Sequence, residues 1–195
     1  MNVSGITGHR KQIRYLESLL AKGNIPNTIL FRGPSGIGKS IIAKRFLNSL
    51  FCDSDNSPCL SCSICNHIAK DTFSDLIEIT PNEKGVIPIG DRDKREAGSI
   101  RWLIERLTLK STFGKTGVII NSVDRVTKEG QNALLKTIEE PHENVYLILV
   151  SSSKGKLLPT LISRCFELKF QSLSESETID VLKSIDISQE IIDPI

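Results

Sequence analysis

Apolar positions recur along the chain in two rhythms, and the switches between them outline its architecture. Ile13, Leu16, Leu19 and Leu20 fall on one helical face, and Gly23 with Pro26 closes that helix. Thr28, Ile29, Leu30 and Phe31 read as a short buried strand running straight into a glycine-rich loop. A helix is expected from 39 to about 50, then a second strand over 75–79, bounded by Pro81. Ile100, Leu103, Ile104 and Leu107 mark another amphipathic helix, and residues 118–120 a third strand. Thr127 has the chemistry of a cap for a helix that ends before Pro141. Residues 145–150 are almost wholly apolar, which predicts a central strand, and Phe166, Leu168 and Phe170 alternate as a fifth. Strands alternating with helices imply a parallel α/β sheet covered on both faces.

After Phe170 the character changes. Ser174 and Glu177 have the spacing of a capping box and open a helix containing Ile179, Val181 and Leu182. A domain boundary is therefore expected near residue 171. The remaining segment, 172–195, is too short for a core of its own and reads as the beginning of a second, helical domain.

Composition narrows the class without naming a function. The 195 residues are 39% hydrophobic and 25% charged, ordinary for a soluble domain. A net charge of +2 is too small to argue for nucleic acid by itself. No apolar run approaches the roughly 18 residues of a membrane span, and the N-terminus lacks a signal-peptide layout. The expectation is a cytoplasmic protein with no membrane contact. Four of the five cysteines, Cys52, Cys59, Cys62 and Cys65, fall within one short stretch. Such clustering in a cytosolic chain favours metal over disulfides. Four thiolates complete a tetrahedral Zn²⁺ shell and leave no position for water, so the role is structural. An iron–sulfur cluster uses the same ligands and stays open as an alternative, and His67 is near enough to serve as a spare ligand.

The glycine-rich loop carries the first specific chemistry. Gly33, Pro34, Ser35, Gly36, Ile37, Gly38, Lys39 and Ser40 complete the G-x-x-x-x-G-K-[ST] pattern between a strand and a helix. Its backbone N–H groups converge on phosphate oxygens, aided by the helix N-terminus. Lys39 is placed to reach the outer phosphates of ATP, and Ser40 to offer its hydroxyl to Mg²⁺. A hydrolytic P-loop protein ends a later strand in acids that organise magnesium and water. Here residues 118–120 are followed by Asn121 and Ser122. Asn carries no charge, and Ser is no general base near neutral pH. Asp124 falls past the strand end and reads as a turn residue. Hydrolysis is expected to be severely impaired.

Taken together, the segment around Gly8 and His9, the P-loop, the cysteine cluster, the run Asn132 to Pro141 and Ser163-Arg164-Cys165 resemble bacterial clamp-loader subunits. These are the gamma/tau and delta-prime subunits of DNA polymerase III, members of the AAA+ class. The resemblance spans about residues 5 to 172 in the right order. It implies an AAA+ domain over 1–171 with a four-Cys zinc module at about 52–66, followed by the start of a helical lid. It also implies a collar domain that assembles a pentamer, expected to be absent from these 195 residues, so that the isolated chain associates weakly or not at all. By the same resemblance Arg164 is an arginine finger acting in trans on a neighbour's ATP, and Ser152 falls at a phosphate-sensing position. The family's partners are the gamma/tau and delta subunits, the sliding clamp and primer-template DNA.

The departures point to the subunit type. Gamma-type motors keep Asp-Glu where this chain has Asn121 and Ser122, whereas delta-prime subunits retain the arginine finger and lose hydrolytic residues. The favoured reading is a delta-prime-like subunit with weak or no ATPase activity of its own. Three alternatives stand beside it. One is an active gamma/tau-like ATPase motor. Another is a zinc-containing nucleotide kinase, which the absence of any Arg or Lys over 52–66 disfavours. The third is a zinc-dependent interaction module with a vestigial P-loop.

Overall fold

In the computed structural model, which describes residues 1–2, 5–94 and 96–184, the expected elements form one parallel sheet with helices on both faces. Helix α1 (Arg10–Lys22) ends where Gly23 adopts a left-handed conformation and its N–H caps Leu20. Strand β1 (Thr28–Arg32) leads through the glycine loop into α2 (Lys39–Phe51). Then follow α3 (Ser63–Ala69), β2 (Leu76–Ile79), α4 (Ile100–Leu107) and β3 (Thr116–Ile120). A single 3-10 turn, Val123–Arg125, separates β3 from α5 (Lys128–Glu139). Strand β4 (Val145–Ser151), the one-turn helix α6 (Pro159–Ile162), β5 (Phe166–Lys169) and α7 (Glu175–Ser184) complete the order. Helices α3 and α6 have no counterpart in the sequence reading; seven and four residues are too few for a helical period to stand out.

The strand order is β2-β3-β4-β1-β5, every pairing parallel. The expected central strand, β4, is indeed the middle one, flanked by β3 and β1. Period-2 alternation divides each inner strand between two cores. Leu30, Val118, Ile120, Leu147 and Leu149 face α4 and α5 with Leu103, Leu134 and Ile138. Ile29, Phe31, Ile119, Ile148 and Val150 face α1 and α2 with Leu16, Ile42 and Phe46. A third, small cluster of Phe51, Ile68 and Phe73 fastens the cysteine segment to the end of α2.

The two expected caps form, and Ser99 adds a third. Thr127 accepts from the Gly130 N–H, and Ser99 accepts from Trp102 at the start of α4. Ser174 and Glu177 form a reciprocal pair, the Ser174 N–H donating to Glu177 at 2.9 Å. Of the expected second domain, α7 is described, and residues 185–195 lie outside the described residues.

Candidate functional site

Because β1 is an inner strand of a parallel sheet, its C-terminal end delivers the glycine loop to the crevice where open α/β sheets bind ligands. Gly36 and Gly38 both adopt positive φ, +79° and +86°, which lets the loop wrap without a Cβ penalty. Gly33 is needed for a different reason: a Cβ there would sit 2.3 Å from the Phe170 carbonyl oxygen. The loop encloses a cavity of about 280 Å³ lined by Ser35, Gly36, Gly38, Lys39, Ser40 and Ser152, among others. Thus the sequence-predicted loop residues and Ser152 meet at one cavity, although 112 positions separate Ser40 from Ser152 (152 − 40). Pro34 and Ile37 belong to the loop wall, Pro34 through its carbonyl to Lys39 and Ile37 through its carbonyl to His9.

Lys39 is 5% exposed and folds back to donate its ammonium to the Gly33 and Pro34 carbonyls. Burial pushes its pKa down, and the carboxylate of Asp124 partly opposes that shift. An anion in the cavity would restore the charge preference of this buried cation. His9 braces the loop from outside. Its Nε2 lies 2.7 Å from the Ile37 oxygen, so that nitrogen carries the proton and donates, and its ring meets Phe170 edge-on at 5.1 Å. In sequence His9 was only part of a family segment; no local pattern marks it as a loop support. Beside the phosphate cavity lies a more apolar recess of about 200 Å³, lined by Ile6, Thr7, His9, Ile37 and Leu173. It shares Gly36, Gly38 and Ile41 with the phosphate cavity and has the size and lining to take a flat base.

At the end of β3, Ser40 Oγ donates to Asn121 Oδ1 at 2.6 Å, and Asn121 Nδ2 donates to Glu78 on β2. Ser40 thus meets an uncharged amide where a hydrolytic site would hold an acid. Hard oxygens from Ser40 and Asn121 fit Mg²⁺, which retains waters and needs few protein ligands. Asp124 corrects the expectation of an ordinary turn residue. It lies in the 3-10 turn but is 8% exposed and works as a bracket between strands. Its Oδ1 accepts from Ser151 Oγ at 2.9 Å and from the Ser152 N–H at 3.0 Å. Both oxygens are engaged, since Oδ2 faces Ser152 Oγ at 3.4 Å. Asp124 therefore positions β4's end, including Ser152, rather than replacing the acids missing from 121 and 122.

Arg164 lies elsewhere. It precedes β5, whose Phe166 pairs with Ile29 at the start of β1, whereas the glycine loop leaves β1 at the opposite end. Four residues of strand at about 3.3 Å each amount to ~13 Å of backbone between the two ends. The half-exposed guanidinium pairs with Glu139 at the end of α5 and donates to the Thr160 carbonyl at 2.9 Å. Cys165 turns the other way, packing on the core and donating to the Leu161 carbonyl at 3.1 Å, and burial pushes its thiol up to about 12.

The four remaining cysteines do converge. Cys52 caps the C-terminus of α2, Cys62 caps the N-terminus of α3, and all four sulfurs lie within 4.8 Å of one another. Zn–S bonds of about 2.3 Å set tetrahedral S···S edges near 3.8 Å, and Cys59 and Cys65 are 4.0 Å apart. Backbone N–H groups of Cys59, Cys62 and Cys65 point at the sulfurs of Cys52, Cys59 and Cys62, at 3.3–3.4 Å. Hydrogen bonds from Ser61 and Cys62 pull the Cys59 thiol down to about 6, while burial holds Cys65 at about 12. Ionising all four this close would set thiolates against one another, and a divalent cation among them would remove that cost. The donor set fits Zn²⁺. His67 turns its Nδ1 to Thr72 Oγ1 at 3.0 Å, outside the sulfur group.

A five-stranded parallel sheet with a G-x-x-x-x-G-K-[ST] loop after its inner strand β1 defines the class: a P-loop α/β protein of the AAA+ type. A solved DNA polymerase III gamma subunit-related protein from Thermotoga maritima shares this fold, with a TM-score of 0.54 at 20% identity over 89% of this chain and 54% of that one. The family model described as "DNA polymerase III, delta subunit" matches residues 8–174, and the chain belongs to that family of clamp-loader subunits. Among curated relatives, the gamma subunit of Buchnera aphidicola (Acyrthosiphon pisum strain) is 32% identical over 95% of this chain and 50% of its own length. The delta' subunit of Bacillus subtilis is 30% identical over 90% of this chain and 51% of its own. The chain thus spans about half the length of these two relatives, and both subunit types match at comparable identity. No helix among the described residues is long and apolar enough to cross a membrane.

Proposed function

We propose that this chain is a delta-prime-like clamp-loader subunit that binds MgATP, turns it over poorly or not at all, and supplies Arg164 to the ATP site of a neighbouring subunit. The observation that carries this reading is the polarity of the parallel sheet. Arg164 stands at the end opposite the chain's own phosphate cavity, so its guanidinium can serve only a phosphate held by another molecule. The quiet character of the local site is supported by Asn121 and Ser122 at the end of β3 and by the full engagement of Asp124 with Ser151 and Ser152. Residues 33–40 and Ser152 would hold the phosphates, with Ser40 and Asn121 toward Mg²⁺. The apolar recess beside His9 would take the base.

Residues 1–171 form the nucleotide-binding domain in this reading, and the lid begins at 172. Cys52, Cys59, Cys62 and Cys65 hold a structural Zn²⁺. Partners are the gamma/tau and delta subunits and, through the assembled complex, the sliding clamp and primer-template DNA, in the cytoplasm. Transition-state charge on a neighbour's phosphate is what an arginine finger stabilises, an effect worth roughly 10³–10⁵ in rate.

The test reconstitutes the chain with clamp-loader partners and follows DNA-dependent ATP turnover. Arg164→Ala should lower turnover by at least a hundredfold with assembly intact, and Lys39→Ala should leave it nearly unchanged. If Lys39→Ala instead abolishes turnover, the second reading, a gamma/tau-like motor, holds; the 32% identity to a gamma subunit keeps that reading in view.

A further inference from the structure

Glu78 lies outside every motif considered so far, yet it completes a closed circuit beside the phosphate cavity. Ser40 and Lys44 are one turn apart on α2 and therefore share a face. Ser40 Oγ donates to Asn121 Oδ1 at 2.6 Å, and Asn121 Nδ2 donates to Glu78 Oε1. The other Glu78 oxygen lies 3.7 Å from Lys44 Nζ, and Lys44 also pairs with Asp71 just beyond the cysteine helix. The circuit runs from α2 to β3 to β2 and back to α2.

The chemistry of its members gives the circuit a direction. A side-chain amide has a donor end and an acceptor end that are nearly identical in shape, so packing alone selects neither. An ionised carboxylate only accepts, so the face of Asn121 that meets Glu78 must be its NH₂. The carbonyl oxygen is then the face left for Ser40. With its hydrogen given to Asn121, the Ser40 hydroxyl keeps its lone pairs for a cation. A flipped amide would instead donate to Ser40 and compete for those lone pairs.

We infer that Glu78 is a positioning residue: it fixes the Asn121 amide so that Ser40 presents a lone pair to the Mg²⁺ of a bound nucleoside triphosphate. In this way the chain keeps Mg²⁺-linked nucleotide binding without an acid on β3. The inference rests on the nucleotide-binding reading proposed above.

The test is an ATP titration of the chain by calorimetry, in excess Mg²⁺ and again in EDTA, with thermal melts of each variant alone. In the parent, Mg²⁺ should tighten binding. Glu78→Ala should reduce that Mg²⁺ advantage roughly fivefold, the scale of one net hydrogen bond, with affinity in EDTA unchanged. Glu78→Gln can turn its single oxygen to Lys44 and its NH₂ to Asn121, so it no longer fixes the amide and should lose about as much of the Mg²⁺ advantage as Ala. An unchanged Mg²⁺ advantage in Glu78→Ala overturns the inference, as does an equal loss in EDTA, which would mark a merely structural role. A Gln variant that keeps the parent's full Mg²⁺ advantage also overturns it, because a group able to donate would then serve as well as one that only accepts. A parent chain that binds no ATP in either condition overturns the nucleotide-binding reading and this inference together, an outcome distinct from the other three.

Discussion

Replacing Asp124 with Ala tests whether the end of β4 is held by one buried carboxylate. The substitution removes acceptors for three donors at once: Ser151 Oγ at 2.9 Å, the Ser152 N–H at 3.0 Å and Ser152 Oγ at 3.4 Å. These losses are unequal. Ser151, fully buried, can turn its hydroxyl to the Ser153 carbonyl, already 3.0 Å away, so its loss is small. Ser152 Oγ borders the phosphate cavity, where water can replace the contact. The Ser152 N–H loses a charged acceptor, a loss worth about 1.5–3 kcal/mol. With a smaller contribution from the void, the expected loss is about 3 kcal/mol. For a domain of this size each kcal/mol lowers Tm by about 2–4 °C, so the melt should fall by roughly 6–12 °C. Guanidinium titration should show a lower midpoint with an unchanged slope. Asp124→Asn keeps one acceptor for the Ser152 N–H and should lose only about 1 kcal/mol. A loss under about 1 kcal/mol for Ala would refute the bracket. Equal losses for Asn and Ala would show that charge, not hydrogen bonding, is what matters.

Three further outcomes are expected. Gly33→Ala drives a methyl into the Phe170 carbonyl at 2.3 Å and should destabilise by about 1–3 kcal/mol, read from chemical denaturation. Cys165 keeps its proton up to about pH 12, whereas the unfolded chain releases it near 9. The folded state therefore holds more protons in that window, and stability should fall as pH rises, by up to about 1.4 kcal/mol per unit; in Cys165→Ala this slope should be shallower by that amount. Metal analysis should find one zinc per chain, and stripping it with a strong chelator should lower Tm and release protection from exchange around α3; full retention of Tm after verified removal would count against the structural site.

Local chemistry was legible from the start because its partners lie within a few residues of each other. The glycine loop between β1 and α2, the spacing of Cys59, Cys62 and Cys65, the Thr127 cap and the Ser174–Glu177 box all close rings that the chain cannot avoid once the residues are in place. Periodicity likewise separated strands from helices and picked out β4 as the buried centre. Short elements escaped it: α3 and α6 are too brief to show a period.

Long-range polar pairings depended on something periodicity does not contain, namely which strand lies beside which. The order β2-β3-β4-β1-β5 brings Glu78 against Asn121 across 43 positions, and Asn121 against Ser40 across 81. It carries Asp124 to Ser151, 27 positions on, and turns a residue that reads as a plain turn into a buried bracket. It also separates Arg164 from its own chain's phosphate loop, although both flank strands that pair directly. By itself, then, the sequence determined the longer elements, the glycine loop and the grouping of the four cysteines, whose geometry is set within a turn or two of backbone. Only the tertiary structure decided which acids face the loop and which arginine faces away, because crossover order and strand direction are settled by burying two sheet faces at once.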